Sequence, residues 1–395
     1  MCAAFAVIFM MKRRVMRSLA LHRVHDGKIF QLIGVARNAG LEKTNTVCWI
    51  NIVFLAISMH VIIIGSGVAG VSFAEKFRSH TLDDEITLIT RENDGYYSRP
   101  LLSRGFSKND IEQSIILKTF DKLRASNINV ISSAEITSIN RGDKSVAITG
   151  SCQEKSLHYD KLVLATGSSA FIPPPFMPYK ELFFCLNSLA DLKTLRKFRQ
   201  GLLNQNRRPE WAIIGGGLIG CEVASDLAVS GDNVTLYHAM DRLMERQLAA
   251  EDSALLLEVL QDSGVNVLLN QNVQGFAKQE NKVCVKTDVT TEFDTLIVAC
   301  GFKPRTELAG QAGLEVGRGI KVNQFMQTSD ESIYALGDVA ELPNGKLYAF
   351  ILPIRSQAHW LAGFLAGQEQ QCWTPPAFTT KAKVHGFEAV HPYNV

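Results

Sequence analysis

The 395-residue chain has no Cys-x-x-Cys spacing and no even ladder of half-cystines among its eight cysteines, Cys2, Cys48, Cys152, Cys185, Cys221, Cys284, Cys300 and Cys372. That absence excludes a disulfide framework and a cysteine-based metal site, and leaves scattered thiols of a reducing cytoplasm. Neither charge is in excess, with 41 Lys and Arg against 39 Asp and Glu. A nucleic-acid-binding stripe and an acidic tail are therefore excluded, and any partner must be recognised through local patches. A cleavable secretory signal is missing too, because no small-residue cleavage site follows the apolar stretch near the start.

What is present is enough apolar residue, 46% of the chain, to bury more than one core, so two domains are expected. Met1 to Ser58 carries mixed basic and apolar segments without caps or heptads and is assigned no fold. The run Val47 to Ile64 is apolar enough to span a bilayer, interrupted only by Asn51, Ser58 and His60. Two readings compete. A spanning helix would consume the residues before Gly65 that a glycine turn needs as a buried strand, so a strand over His60 to Ile64 is favoured, with Met59 as a start and no membrane partner.

From Val61 the pattern is strand, glycine turn, helix and strand: VIIIGSGVAG, then VSFAEKFRSH, then ITLIT. Gly65, Gly67 and Gly70 have the spacing G-x-G-x-x-G. The first glycine permits a tight turn, the second lets backbone approach a pyrophosphate, and the third lets helix pack on sheet. The turn residues Gly65, Ser66, Gly67, Val68, Ala69 and Gly70 then face phosphates at a helix N-terminus. Glu92 follows the next strand at the distance, about 20 residues, where a carboxylate meets adenosine ribose hydroxyls. One such motif is weak; a glycine-rich loop without ligand is its bland reading.

The same context returns in WAIIGGGLIG, CEVASDLAVSG and NVTLYH, with Gly215, Gly217 and Gly220. Repetition of strand, turn and helix implies two nucleotide sites. At the ribose position of this copy stands His238 rather than an acid. With Arg242 close by it would suit a 2′-phosphate, or it is a solvated loop residue, so NADH and NADPH both remain open. Between the copies, KLVLATG is a strand closing on Thr166 and Gly167, and FIPPPFMP, with four prolines, is an extended crossover. DTLIVACGFKP, with Gly301, and IYALGDVAE, with Gly337 and Asp338, follow as further strands and turns.

In this order GSGVAG with Glu92, SRPLLS, KLVLATG, GGGLIGCE, ACGFKP and ALGDVAE resemble the FAD-dependent pyridine nucleotide oxidoreductases, over roughly Met59 to Gly367, and within them rubredoxin-NAD(+) reductases most. The resemblance implies an α/β fold of two Rossmann-like dinucleotide-binding domains. FAD would lie in a discontinuous domain, residues 59–170 and 292–367, and NAD(P)H in residues 171–291. Relatives continue with a small C-terminal interface domain, in place of which residues 368–395 form a short tail. Asp338 is by resemblance an FAD ligand, its bland reading being a helix N-cap. Arg99 stands beside the flavin and Glu222 near it. A salt bridge from Glu222 to Arg99 or Arg104 would orient the ring, Arg104 being otherwise a solvated arginine. LPIRSQAHWLAGFLAG is expected as an amphipathic helix opening after Pro353 and aimed at the flavin, with Lys383 reaching the same edge.

The implied activity is oxidation of NADH or NADPH through FAD, then release of single electrons to a small iron–sulfur carrier, rubredoxin first. The motifs do not separate ferredoxin, flavorubredoxin or nitrite-reductase partners. Lacking the redox cysteine pair of the disulfide reductases, the chain is not expected to work through a thiol; Cys221 and Cys300 read as small core residues. A non-catalytic NADH-binding sensor on the same fold is the reading from a different class.

Overall fold

A computed structural model describes residues 58–149 and 155–394. The expectations for Met1 to Ile57, and for the apolar run before Ser58, lie outside the described residues. At the described end of the apolar stretch Val47 to Ile64, His60–Ile64 is the strand expected. Among the described residues no helix is long and apolar enough to cross a membrane. Ser58 and Met59 group with Asp83–Glu85, where Ser58 Oγ donates to the Asp83 carbonyl at 2.7 Å. All other described residues form one larger unit.

In chain order the framework is β1 (His60–Ile64), α1 (Val68–His80), β2 (Glu85–Ile89), β3 (Asn129–Ile131), β4 (Lys161–Leu164) and α2 (Leu189–Leu203). It continues with β5 (Glu210–Ile214), α3 (Leu218–Val229), β6 (Asn233–Tyr237), α4 (Ala250–Asp262), β7 (Val265–Leu268), β8 (Thr295–Val298), β9 (Ile333–Ala335) and α5 (Ile351–Leu365). Two sheets result, with strand orders β9-β4-β1-β2-β3 and β7-β6-β5-β8. The second is parallel throughout, and β1 with β4, β4 with β9 and β2 with β3 are parallel too. Strands buried on both faces explain why VIII, LVL, WAII and LIV read as continuous apolar runs.

The two lobes repeat one plan, and their glycine turns agree in detail. Gly65 and Gly215 both have φ +114°, in the region open to glycine. A Cβ at Gly70 would stand 1.9 Å from the Gly65 carbonyl oxygen, and one at Gly220 1.8 Å from that of Gly215. First and third glycines are thus required by backbone crowding in each copy.

Three expectations about organisation are corrected. DTLIVACG does not open the return of the first lobe at residue 292, because β8 pairs with β5 from Trp211–Thr295 to Ile214–Val298. The lobe changes come instead where Ser168–Ala170 pairs antiparallel with Phe302–Pro304, so 171–301 is one lobe and the other resumes at 302. The proline run is not extended throughout: Pro174–Leu182 is 3₁₀-helical, which suits the fixed φ of proline in a first turn that needs no N–H. Likewise α5 opens before Pro353, at Ile351, with the proline in its first turn.

Residues 368–394 do not stand apart. Ala382, Val384 and Phe387 are buried in the core that surrounds Trp211, a core that also takes Tyr97, Leu102 and Phe106 from the other lobe. Phe106 lies against Trp211 with ring centroids 6.0 Å apart. The strip 97–106 and the tail are therefore both held on the second lobe.

Candidate functional site

Adjacent strands β9, β4 and β1 end together, and at their carboxyl ends stand the three glycine motifs of the first lobe. This is where open α/β sheets bind ligands. A Cβ at Gly65 would meet the Ala165 carbonyl oxygen at 2.2 Å, and one at Gly337 would meet the Ala69 methyl at 3.1 Å. Gly65–Gly70, Thr166–Gly167 and Gly337–Asp338 are thereby brought into one cleft. Gly67, in contrast, has no atom within 4 Å of a Cβ position. It caps α1 without a side-chain hydrogen bond, so the cap itself gives the first-turn N–H groups no acceptor. Ser66 Oγ bonds Thr90 Oγ1 at 2.8 Å, and Thr90 Oγ1 accepts from Glu92 N at 3.2 Å, so the turn and the residues after β2 are tied together.

Glu92 is where the spacing puts it, yet it is not waiting free. Its Oε1 accepts from Tyr97 OH at 3.0 Å and from Arg99 Nη2 at 2.6 Å. Arg99 also donates to the Asn187 carbonyl. Burial pushes the Tyr97 hydroxyl well above its usual range, which keeps it a donor. Asp338 accepts from Ser168 Oγ at 2.7 Å. Burial raises its carboxyl, opposed by the Ser168 hydroxyl and by the charges of Arg99 and Arg305.

Sequence reasoning missed two residues of this cleft. Gln357, fully buried on α5, accepts from Gly337 N at 3.0 Å, and its Nε2 is buried without a partner. A polar residue three after Ile354 and four before Leu361, on the apolar face of the helix, was the signal available. Arg305 donates to the Thr166 carbonyl at 3.1 Å, and burial lowers its guanidinium below the usual value. An open second glycine, bare helix amides and an unpartnered buried amide fit an adenine dinucleotide here.

The second lobe repeats the cleft at the ends of β8, β5 and β6. Gly217 is as open as Gly67 and caps α3 in the same way. Gly301, at φ +112°, also has nothing within 4 Å of a Cβ position. His238 is not a solvated loop residue: it is buried, its Nδ1 accepts from Gly216 N at 3.0 Å, and its Nε2 is 3.2 Å from Glu245 Oε2. Arg242 turns inward to the Leu248 and Glu245 carbonyls, both at 2.8 Å.

Between the clefts lies Glu222, on α3 and fully buried. The expected salt bridge to Arg99 or Arg104 does not form. Glu222 pairs instead with Lys383, whose Nζ is 2.6 Å and whose N is 2.8 Å from Oε1, while Ser103 Oγ donates to Oε2 at 2.5 Å. Arg99 is taken by Glu92, and Arg104 Nε donates to the Lys383 carbonyl at 3.1 Å. Lys383 is thus at the site, but through the carboxylate. Three thiols beside the second cleft and α3 stay protonated: burial raises Cys185 and Cys300 to about 11 and Cys221 further.

Residues 59–359 match the model of the family described as pyridine nucleotide-disulphide oxidoreductase. A nitric oxide reductase FlRd-NAD(+) reductase of Shigella sonnei is 34% identical over 329 residues, 82% of this chain and 83% of its own. Among solved structures, the covalent putidaredoxin reductase–putidaredoxin complex superposes with a TM-score of 0.72 at 29% identity, over 82% of this chain and 79% of that one. Reduced CoADR-RHD of Bacillus anthracis gives 0.75 at 25% identity; 83% of this chain is covered, and it spans 60% of that longer one.

Proposed function

The chain belongs to the pyridine nucleotide-disulphide oxidoreductase family, and we propose that within it the protein is a rubredoxin reductase. It is an FAD-dependent NAD(P)H oxidoreductase that transfers electrons to a small redox partner. The observation that carries the reading is the pair of equivalent turns with Gly67 and Gly217 open at Cβ. Held there, FAD would supply the chemistry that links a two-electron reduced nicotinamide to a one-electron iron centre.

The first cleft, in a domain of residues 59–170 and 302–367, holds FAD. Gly65 to Gly70 would hold its pyrophosphate and Glu92 its ribose, with Thr166, Gly167, Gly337, Asp338 and Gln357 lining the far side. The second cleft, in residues 171–301, holds NAD(P)H at Gly215, Gly217, Gly220, His238 and Gly301. Arg99, Arg104, Glu222 and Lys383 stand where the two meet, and their polar network orients the reacting ends. Support for an iron–sulfur carrier rather than a disulfide comes from the SRPLLS strip, which has no cysteine, and from thiols kept protonated by burial. The similarity to a FlRd-NAD(+) reductase supports a small redox partner, and rubredoxin as that partner rests on the motif resemblance. Free Cys185, Cys221, Cys284, Cys300 and Cys372 suit a reducing cytoplasm.

The test is anaerobic reduction by NADH or NADPH followed by mixing with oxidised rubredoxin and, separately, ferredoxins. Bleaching of the yellow protein and rapid reoxidation by rubredoxin is expected. A reduced protein that persists with every carrier would replace the reductase with the nucleotide sensor.

A further inference from the structure

We propose that Glu245 is the residue that selects NADH against NADPH, taking the role of the acid missing at the end of β6. This rests on the second turn being the nicotinamide dinucleotide's.

The group that meets the adenosine ribose stands at the carboxyl end of the second strand of such a unit. There His238 offers no carboxylate, but the hydrogen bonds around it supply one. Gly216 N–H donates to Nδ1 at 3.0 Å, so Nδ1 is an acceptor and the ring proton is on Nε2. Nε2 is 3.2 Å from Glu245 Oε2 and donates to it. With one ring nitrogen accepting from Gly216 and the other donating to Glu245, the imidazole has no free donor to offer a 2′-phosphate. The charge beside it is the carboxylate.

That carboxylate is held in place by the turn itself. Met244 N donates to the Gly216 carbonyl at 2.9 Å, and Met244 is fully buried with φ +48°. A Cβ at Gly216 would meet His238 Cγ at 2.7 Å, so turn, ring and loop are packed as one piece. The Glu245 side chain remains 23% exposed, open to an arriving hydroxyl.

The nearby cations do not reverse the sign. Arg242 spends its guanidinium on the Leu248 and Glu245 carbonyls and on Ser253 Oγ at 3.0 Å. Arg246 lies out in solvent, its Nε 3.6 Å from Glu245 Oε1; turning to a 2′-phosphate, it would leave the carboxylate facing that phosphate unscreened. Asp241 is exposed and adds negative charge. An adenosine 2′-hydroxyl can donate to Glu245, whereas a 2′-phosphate is repelled.

The experiment is calorimetric titration of the full-length holoprotein with NAD+ and NADP+, alongside anaerobic flavin reduction by NADH and NADPH, for wild type, Glu245→Gln and Arg246→Gln. Wild type is expected to favour the unphosphorylated nucleotide by about tenfold or more, the scale of a hydrogen bond to a charged group. Glu245→Gln should cut that ratio by about tenfold, and Arg246→Gln should not lower it. A Glu245 that only steadied His238 would move both affinities together, so an unchanged ratio in Glu245→Gln overturns the proposal, as does a wild type that prefers NADP+. No heat and no flavin reduction with either nucleotide overturns both this proposal and the reading of the second turn it rests on, whereas normal reduction with an unchanged ratio in Glu245→Gln overturns this proposal alone.

Discussion

A carboxylate with no exposure must have its lone pairs met, and Glu222 meets them with Ser103 Oγ and with both nitrogens of Lys383. Removing it strands an ammonium and two further donors at the joint of the clefts. Glu222→Ala should therefore cost about 3 kcal/mol, the lower end for a broken buried pair, because Lys383 keeps 28% side-chain exposure. Urea unfolding measures that. FAD content should hold while stopped-flow reduction by NADH slows, and Glu222→Gln should recover stability but not the full rate. Unchanged reduction in both variants would take Glu222 out of the site. The position of Glu222, two after the third glycine, is legible in the sequence. Its partner is not, since Lys383 is 161 residues away and residue order does not say which of three cations comes nearest. Arg99 is drawn off by Glu92, only seven residues before it, and Arg104 by a carbonyl.

Elements of the second lobe grip the tail through three buried acids. Glu222 and Asp226 on α3 take Lys383 and His385, and Asp252 on α4 takes the N–H groups of Val390 and His391 at 2.8 and 3.0 Å. The Val390 N–H first, then the His391 N–H and ring, hold the Asp252 carboxyl below its ordinary 3.8. A depressed acid stabilises above its unfolded value, and that contribution is lost as pH falls through the folded one. Hydrogen exchange at the Val390 and His391 amides should thus stay slow on acidification to 3.8 and speed up only below it. Loss of protection well above 3.8 would show that Asp252 does not hold the tail. This docking left no mark in the sequence, because AKVHGF is too short to show a period and its apolar partners lie on other elements. The same limit explains the boundary at 292: LIV is buried on both faces, as LVL is, and a continuous apolar strand does not announce its sheet.

At the scale of the whole molecule, what was legible was the duplication. Two glycine turns in strand–turn–helix context implied two dinucleotide clefts, and both turns are built alike, down to a φ of +114° at each first glycine. Where lobes meet was less legible, because contacts between distant segments depend on three-dimensional packing. Gly67 and Gly217 test the arrangement most directly, for each has an ordinary negative φ, near −73° and −80°, and no atom within 4 Å of a Cβ position. A valine at either should fold and obstruct only a ligand. The decisive measurement is the visible spectrum of purified Gly67→Val and Gly217→Val before and after anaerobic NADH. Gly67→Val is expected folded but colourless, and Gly217→Val yellow but unbleached. Yellow Gly67→Val with full FAD, or Gly217→Val bleached as fast as wild type, would contradict two clefts with FAD in the first and the nicotinamide nucleotide in the second.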